Sequence, residues 1–255
     1  MRFNLNDSAR YFLCSSNTDQ FRLKKALFTI LAVLICDQWL KIWVKLNFHY
    51  GESLTLIPGW FDLQFVENPG MAFGWMLPGE AGKLTLSIFR IIVFLGIGWY
   101  LLKQIKEKAH SGYIFCISLI IAGALGNIID GAFYGIFFDR GSTFDPEIGD
   151  FTMYFGKAML TTEQGYARPL MGNVVDMFHF TKTISIGGKV REIFPPVFNI
   201  ADASITAGIL SVMVFQRTFF PKQLPPKTPD DSATDDSNNM SDAHSVQAPD
   251  AAKDS

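Results

Sequence analysis

The sequence predicts an α-helical integral membrane protein. It should have four transmembrane helices, both termini cytoplasmic, and a small outward-facing β-structured segment on the membrane surface. Three observations carry that expectation. Apolar residues gather into four stretches of about 20 residues, the length a bilayer core requires. Lysine and arginine fall in segments that share one side of the membrane if there are four spans. Carboxylates and amides recur inside or beside the apolar stretches, where they are costly to place. Composition alone is not decisive. The 255 residues are 49% hydrophobic with 24 phenylalanines, a fraction a soluble domain can reach.

The elements follow in order. Residues 1–25 form a basic cytoplasmic arm with Arg2, Arg10, Arg22 and Lys24. The apolar run behind Lys25 is long for a signal-peptide core and lacks a small-residue cleavage site, so it reads as a retained helix. The membrane domain covers 26–215. Its first span runs from about Ala26 to Leu46 and its second from about Leu84 to Leu102. The third starts near Tyr113 and passes Gly126 to Ile129, and the fourth runs from near Pro196 to Phe215. Lys103, Lys106 and Lys108 follow the second span; Arg217 and Lys222 follow the fourth. The outer segments are then about 47–83 and 131–195. Within the first, Pro58 and Gly59 mark a turn, and Phe61-Asp62-Leu63-Gln64-Phe65 alternates as a strand does. Residues 139–170 are Gly-rich and show no clear period. Residues 216–255 are too polar to build a core and form an acidic cytoplasmic tail expected to be disordered.

Several function classes are disfavoured. No contiguous basic face is evident and the net charge is −2, so nucleic acid is not an expected partner. Cys14, Cys36 and Cys116 share no short spacing, which leaves no disulfide framework and no zinc pattern. The four histidines are scattered without a His-Glu-x-x-His pair. No metal and no cofactor are expected.

What remains is carboxylate and amide chemistry. Asn199, Asp202 and Thr206 share one face at the start of the fourth span, and Asn127 and Asp130 share a face late in the third. Asp176 sits in a short apolar segment, Val174-Val175-Asp176-Met177-Phe178. Two carboxylates brought together share one proton, so one activates water while the other donates to a carbonyl. Each piece also has a structural reading. Asp37 and Lys41 are spaced as an i, i+4 ion pair. Asn68-Pro69-Gly70 reads as a turn. Asn127 and Asp130 can tie helices together, Asp202 can cap one, and Arg90 can pair internally or snorkel to an interface.

Taken in order, these segments resemble the lipoprotein signal peptidases, the type II signal peptidases of bacteria. The matching elements are Asp37 and Lys41; Asn68, Gly70, Ala72 and Phe73; Gly126, Asn127 and Asp130; Val174, Val175 and Asp176; and Phe198, Asn199, Ala201 and Asp202. The resemblance covers residues 26–215. It implies an aspartyl endopeptidase of the bacterial inner membrane with its active site at the outer face. Asp176 and Asp202 would be the catalytic dyad. Asp37, Lys41, Asn68, Gly70, Asn127, Asp130 and Asn199 would support it or bind substrate. The implied substrate is a diacylglyceryl-modified prolipoprotein, cut just before the lipidated cysteine. Membrane lipids are the other expected partners, and the chain is expected to be monomeric.

Two departures from the family pattern stand out. Most relatives carry Arg directly after the Gly-Asn-x-x-Asp element, where this chain has Gly131. Arg140 and Arg168 are candidates, by location, to supply that charge. The segment between Asp130 and Asp176 is also long, an insertion of small loop-closure cost. Asp139 competes with Asp176 for the dyad position, but Val-Val-Asp-Met fits better than Phe-Phe-Asp-Arg. A transporter or channel using intramembrane carboxylates, and an assembly factor using them as helix glue, are the other readings.

Overall fold

Helix α1 (Asn17–Asn47) contains no proline or glycine to interrupt it. Its 31 residues rise about 46 Å, more than a bilayer core needs. The computed structural model describes residues 17–70, 79–186 and 189–220. The basic arm before Asn17, the Met71–Phe73 part of the Asn68 element and the tail beyond Phe220 lie outside them. Helix α2 (Gly79–Lys106) and α3 (Ser111–Ile129) follow. The His110 ring caps α3 by accepting from the Gly112 amide at 3.1 Å. A π-helical turn (Asp130–Tyr134) and a short helical turn (Gly135–Phe137) carry the third helix onward.

Among the described residues three helices are thus long and apolar enough to cross a membrane. Protein covers only 6% of the apolar window in α2 and 17% in α1, against 50% in α3, so α3 is the central helix. The uncovered faces carry Phe28, Leu31, Ile35 and Trp39 on α1 and Phe89, Ile92, Leu95 and Trp99 on α2. An apolar outside of this size is what lipid, rather than water, solvates.

The fourth helix departs from expectation. Helix α4 spans Ile200–Val214, and a four-residue helix α5 (Gln216–Phe219) follows it. At 15 residues α4 rises about 22 Å, short of a bilayer core of about 30 Å. It does not begin at Pro196. Pro195 and Pro196 lie in a strand, because proline gives a helix no amide and holds its predecessor extended. The helix starts only where Asn199 caps it.

The segments between α1 and α2 and between α3 and α4 contain more sheet than the sequence suggests. Strands β1 (Ser53–Ile57) and β2 (Phe61–Asn68) form the expected hairpin, with Gly59 at φ +70° in the turn. Leu63, Phe65 and Glu67 of β2 point inward. The insertion folds a small hairpin, β3 (Thr143–Asp145) and β4 (Asp150–Thr152). Strands β5 (Val174–Ile186) and β6 (Lys189–Phe198) then complete an antiparallel sheet of order β1-β2-β5-β6. Asp176 is therefore a residue of a sheet strand, not of a separate apolar segment. Part of the phenylalanine excess is spent here, where Phe61, Phe178, Phe180, Phe194 and Phe198 stack across three strands.

Two apolar cores hold the parts together. One lies between the helices and contains Ala26, Leu101, Ile105, Ile114, Ile117 and Ile121. The other joins the end of α1 to β2, β5 and the insertion through Val44, Phe48, Phe65, Phe138, Val175 and Met177. The insertion is anchored to the π-helical turn by main-chain bonds. The amides of Gly172 and Ala167 donate to the carbonyls of Gly131 and Gly135 at 2.8 and 2.9 Å. A β-carbon on Gly172 would stand 2.2 Å from the Asp130 carbonyl oxygen, so only glycine fits this crossing.

Packing of α3 on α4 is equally close. A β-carbon at Gly123 would lie 2.2 Å from the Ala201 carbonyl oxygen and 2.7 Å from Ile205. A β-carbon at Gly98 meets nothing within 4 Å. Gly123→Leu should destabilise the protein by about 1–3 kcal/mol or more. Gly98→Leu should stay within about 0.5 kcal/mol of wild type. Melting of the two variants in detergent checks the contrast; equal melting temperatures would refute the packing described.

Candidate active site

The site grows from the inner face of α1. Asp37 and Lys41 are one turn apart and both fully buried, and their side chains pair at 2.9 Å. The Lys41 ammonium also pairs with Asp130 at 2.9 Å and donates to the Asn127 carbonyl oxygen at 2.9 Å. All three of its donors are therefore used. Buried charges are stable only when compensated in this way. Asp37 also accepts from the Ala201 amide at 2.9 Å, which fixes the first turn of α4 against α1. Gln38 donates to Asp130 at 2.8 Å and accepts from the Tyr134 hydroxyl at 3.2 Å. The π-helical turn opens at Asp130, whose second oxygen accepts from the Val175 amide at 3.2 Å.

Asn127 carries this network to α4. Its amide donates to Asp202 Oδ1 at 2.8 Å. Asn199 and Asp202 form a reciprocal cap: the Asn199 side chain accepts from the Asp202 amide at 2.9 Å, and Asp202 accepts from the Asn199 amide at 3.4 Å. The Asn199 side chain also donates to Asp176 Oδ1 at 2.6 Å. Asn199 thus links the two expected dyad carboxylates, one by its cap and one by its amide.

Sheet register delivers Asp176. It stands opposite Val66 in the β2–β5 ladder, and Asn68 stands opposite Val174. Strand alternation puts Asn68 and Asp176 on one face, and an Asn68 hydrogen bond reaches the Asp176 carboxyl. Asn68 also accepts from the Gly70 amide at 2.9 Å, closing the expected turn with Gly70 at φ +116°. Asp176 is 3% exposed. Burial, then the neighbouring Asp202 carboxylate, pushes its carboxyl well above the ordinary range. The nine residues singled out in the sequence are therefore brought together, and Asp37, Lys41, Asn127, Asp130, Asn199 and Asp202 also do the structural work each could do alone.

The competing candidates are held by other partners. Asp139 is held in the insertion, where it accepts from the Met159 amide at 2.7 Å and pairs with Arg140 at 3.2 Å. Arg140 also donates to the Phe155 carbonyl at 2.7 Å, and Arg168 pairs with Glu80 at the surface. Both arginines are thus engaged away from the dyad. Besides Lys41, Arg90 of α2 lies in the field of the carboxylates and interacts electrostatically with Asp202, Asp176 and Asp130.

A second buried cluster was not anticipated. Glu67 pairs with Lys45 and accepts from the Ser142 amide at 2.8 Å, the Asn173 amide at 2.7 Å and the Tyr154 hydroxyl at 3.0 Å. Lys83 donates to the Asn173 carbonyl oxygen. The available signal was Lys45, two turns beyond Asp37 on the face that carries Lys41. Among the described residues no group of acidic, His or Cys side chains could hold a metal ion.

Known proteins resemble this chain. The family model described as signal peptidase (SPase) II matches residues 29–218. The lipoprotein signal peptidase of Porphyromonas gingivalis is 39% identical over 219 residues, covering 80% of this chain and 90% of the relative. That of Amoebophilus asiaticus is 31% identical over 204 residues, covering 74% and 75%. A solved bacterial membrane enzyme structure has a TM-score of 0.49 at 24% identity, covering 79% of this chain and 95% of that one. With all five motifs inside the matched span, the chain belongs to the signal peptidase II family.

Proposed function

We propose that Asp176 and Asp202 are the catalytic dyad of an aspartyl endopeptidase that cuts diacylglyceryl-modified prolipoproteins just before the lipidated cysteine. As a member of its family the chain removes signal peptides from prolipoproteins. The observation that carries the dyad is Asn199, whose one side chain binds both carboxyl-bearing residues. Asp176, held protonated by burial, is the acid. Asp202, at the positive first turn of α4 and receiving Asn127, is the base.

The steps balance without a metal or cofactor. Asp202 takes a proton from water as the water oxygen attacks the scissile carbonyl carbon. Asp176 gives its proton to the carbonyl oxygen. The tetrahedral intermediate then collapses. Its carbon–nitrogen bond breaks, Asp202 protonates the leaving amine, and Asp176 recovers its proton from the hydroxyl that becomes the new carbonyl oxygen.

The membrane setting follows from charge and length. The domain at 26–215 crosses the inner membrane four times, with α4 as the short fourth span. Both termini, the 1–25 arm and the 216–255 tail are cytoplasmic. The basic residues behind α2 and α4 support that orientation. It sets the sheet and the dyad at the outer face, where the lipid-anchored substrate lies. Transport is less well supported, because the carboxylates gather at helix ends against a sheet and not at a midplane.

Purified enzyme with a diacylglyceryl-modified prolipoprotein tests the reading. Asp176→Asn and Asp202→Asn should each lower turnover by roughly 10²- to 10⁴-fold, while Asp139→Asn keeps it. Activity that survives Asp176→Asn would refute the dyad. A second expectation concerns pH. The raised Asp176 pKa means the folded state holds its proton more tightly than the unfolded state. The resulting stability is fully present below the ordinary carboxylate range and is lost as pH rises through the raised value. Asp176→Asn should therefore gain melting temperature relative to wild type as pH increases. A difference that stays constant with pH would contradict this, and activity should fall over the same rise.

A further inference from the structure

Most polar groups around the dyad have no capacity left for a substrate. Lys41 uses all three donors. The Asn127 carbonyl accepts from both Lys41 and Asn199. The Asn199 amide serves Asp176, Asn127 and the Val175 carbonyl. Arg90 differs. It is half-buried on α2, yet its guanidinium makes no hydrogen bond or ion pair with any described residue. It lies beyond ion-pair distance of Asp202, Asp176 and Asp130 while remaining in their field. A half-buried guanidinium whose donors meet no described residue is costly unless another group meets them.

Position links Arg90 to the family departure at Gly131. A β-carbon there would lie 3.8 Å from Ser87 Oγ, in ordinary contact. Ser87 is one helical turn before Arg90 and shares its face. The Ser87 hydroxyl donates to the Leu170 carbonyl at 2.8 Å, so this face of α2 abuts the turn that carries Asp130 and Gly131. A side chain starting at Gly131 and one starting at Arg90 thus approach the same space.

We propose that Arg90 is the substrate-binding cation of this enzyme: its guanidinium donates to a peptide carbonyl oxygen beside the scissile bond, serving from α2 the space a side chain at position 131 would reach. The assignment rests on the dyad reading above. It names a group that touches substrate and takes no part in proton transfer. A planar fork of donors suits carbonyl oxygens better than an ammonium does, so lysine should be a partial substitute.

The test uses full-length enzyme and the diacylglyceryl-modified prolipoprotein. Arg90→Ala should lose roughly 10- to 100-fold in kcat/KM, the effect of one hydrogen bond to a charged group, mostly through KM. Its melting temperature should not fall, because no bond to a described residue is lost. Arg90→Lys should lie between Arg90→Ala and wild type. Combining Arg90→Ala with Gly131→Arg should recover a large part of the loss. An Arg90→Ala enzyme within about threefold of wild type overturns the assignment. A loss that Gly131→Arg does not relieve, together with a lowered melting temperature, overturns it too and assigns Arg90 to packing. Wild type that fails to cut overturns both this assignment and the reaction beneath it. Wild type that cuts beside an unimpaired Arg90→Ala overturns this one alone.

Discussion

The buried ammonium of Lys41 is the interaction on which the rest of the site depends. It belongs to α1, yet its three bonds reach Asp37 on the same helix and Asp130 and Asn127 at the end of α3. Those partners pass the constraint on. Asp37 fixes the α4 amide of Ala201, Asp130 fixes the β5 amide of Val175, and Asn127 fixes Asp202. Taking such charges out of water costs several kcal/mol per ion, offset only where every polar atom is met. The result is a set of elements with one acceptable arrangement, and that arrangement holds Asp176 and Asp202 around Asn199. Preorganisation of this kind lowers the reorganisation a reaction requires.

The long insertion threatens this order, because it separates Asp130 from Asp176 in the chain. Two features return it to the same place. The Gly172 crossing docks the returning chain on the π-helical turn, three residues from Val175. The Glu67 cluster then clamps Asn173 and Ser142 to β2 and to the end of α1. Once Asn173 is fixed, strand pairing of Val174 and Val175 with Asn68 and Glu67 sets the register. A one-residue slip would turn Asp176 away from Asn68 and into the apolar core. The insertion is therefore tied to the geometry of the site.

What the sequence made legible was local. Asp37 with Lys41, and Asn199 with Asp202, are pairs at helical spacing, and their side chains meet as that spacing requires. The β1–β2 hairpin was readable because one face is buried and its turn holds Pro58 and Gly59. The β5–β6 hairpin was not. Val174, Val175, Met177 and Phe178 are apolar on both faces where the strand is covered, which hides the period of two. Gly187-Gly188 was the turn signal that could have revealed it. Contacts such as Lys41 with Asp130, or Asn127 with Asp202, join residues far apart in the chain. They could be inferred only from the order of the motifs.

Structural and chemical readings of a buried polar residue are often treated as rivals, and this site shows why they need not be. Asn199 caps α4 and for that reason points its amide at Asp176. Asp202 completes the cap and so lies at the positive end of the helix. The same saturation that makes these groups good scaffolding bars most of them from meeting a substrate. Recognition then falls to groups left incomplete in the free protein. Arg90 is one, a cation on α2 in the field of carboxylates it does not touch. A mid-span arginine read from sequence is expected to snorkel or pair. One that pairs with no described residue is, on the proposal above, positioned for something that arrives.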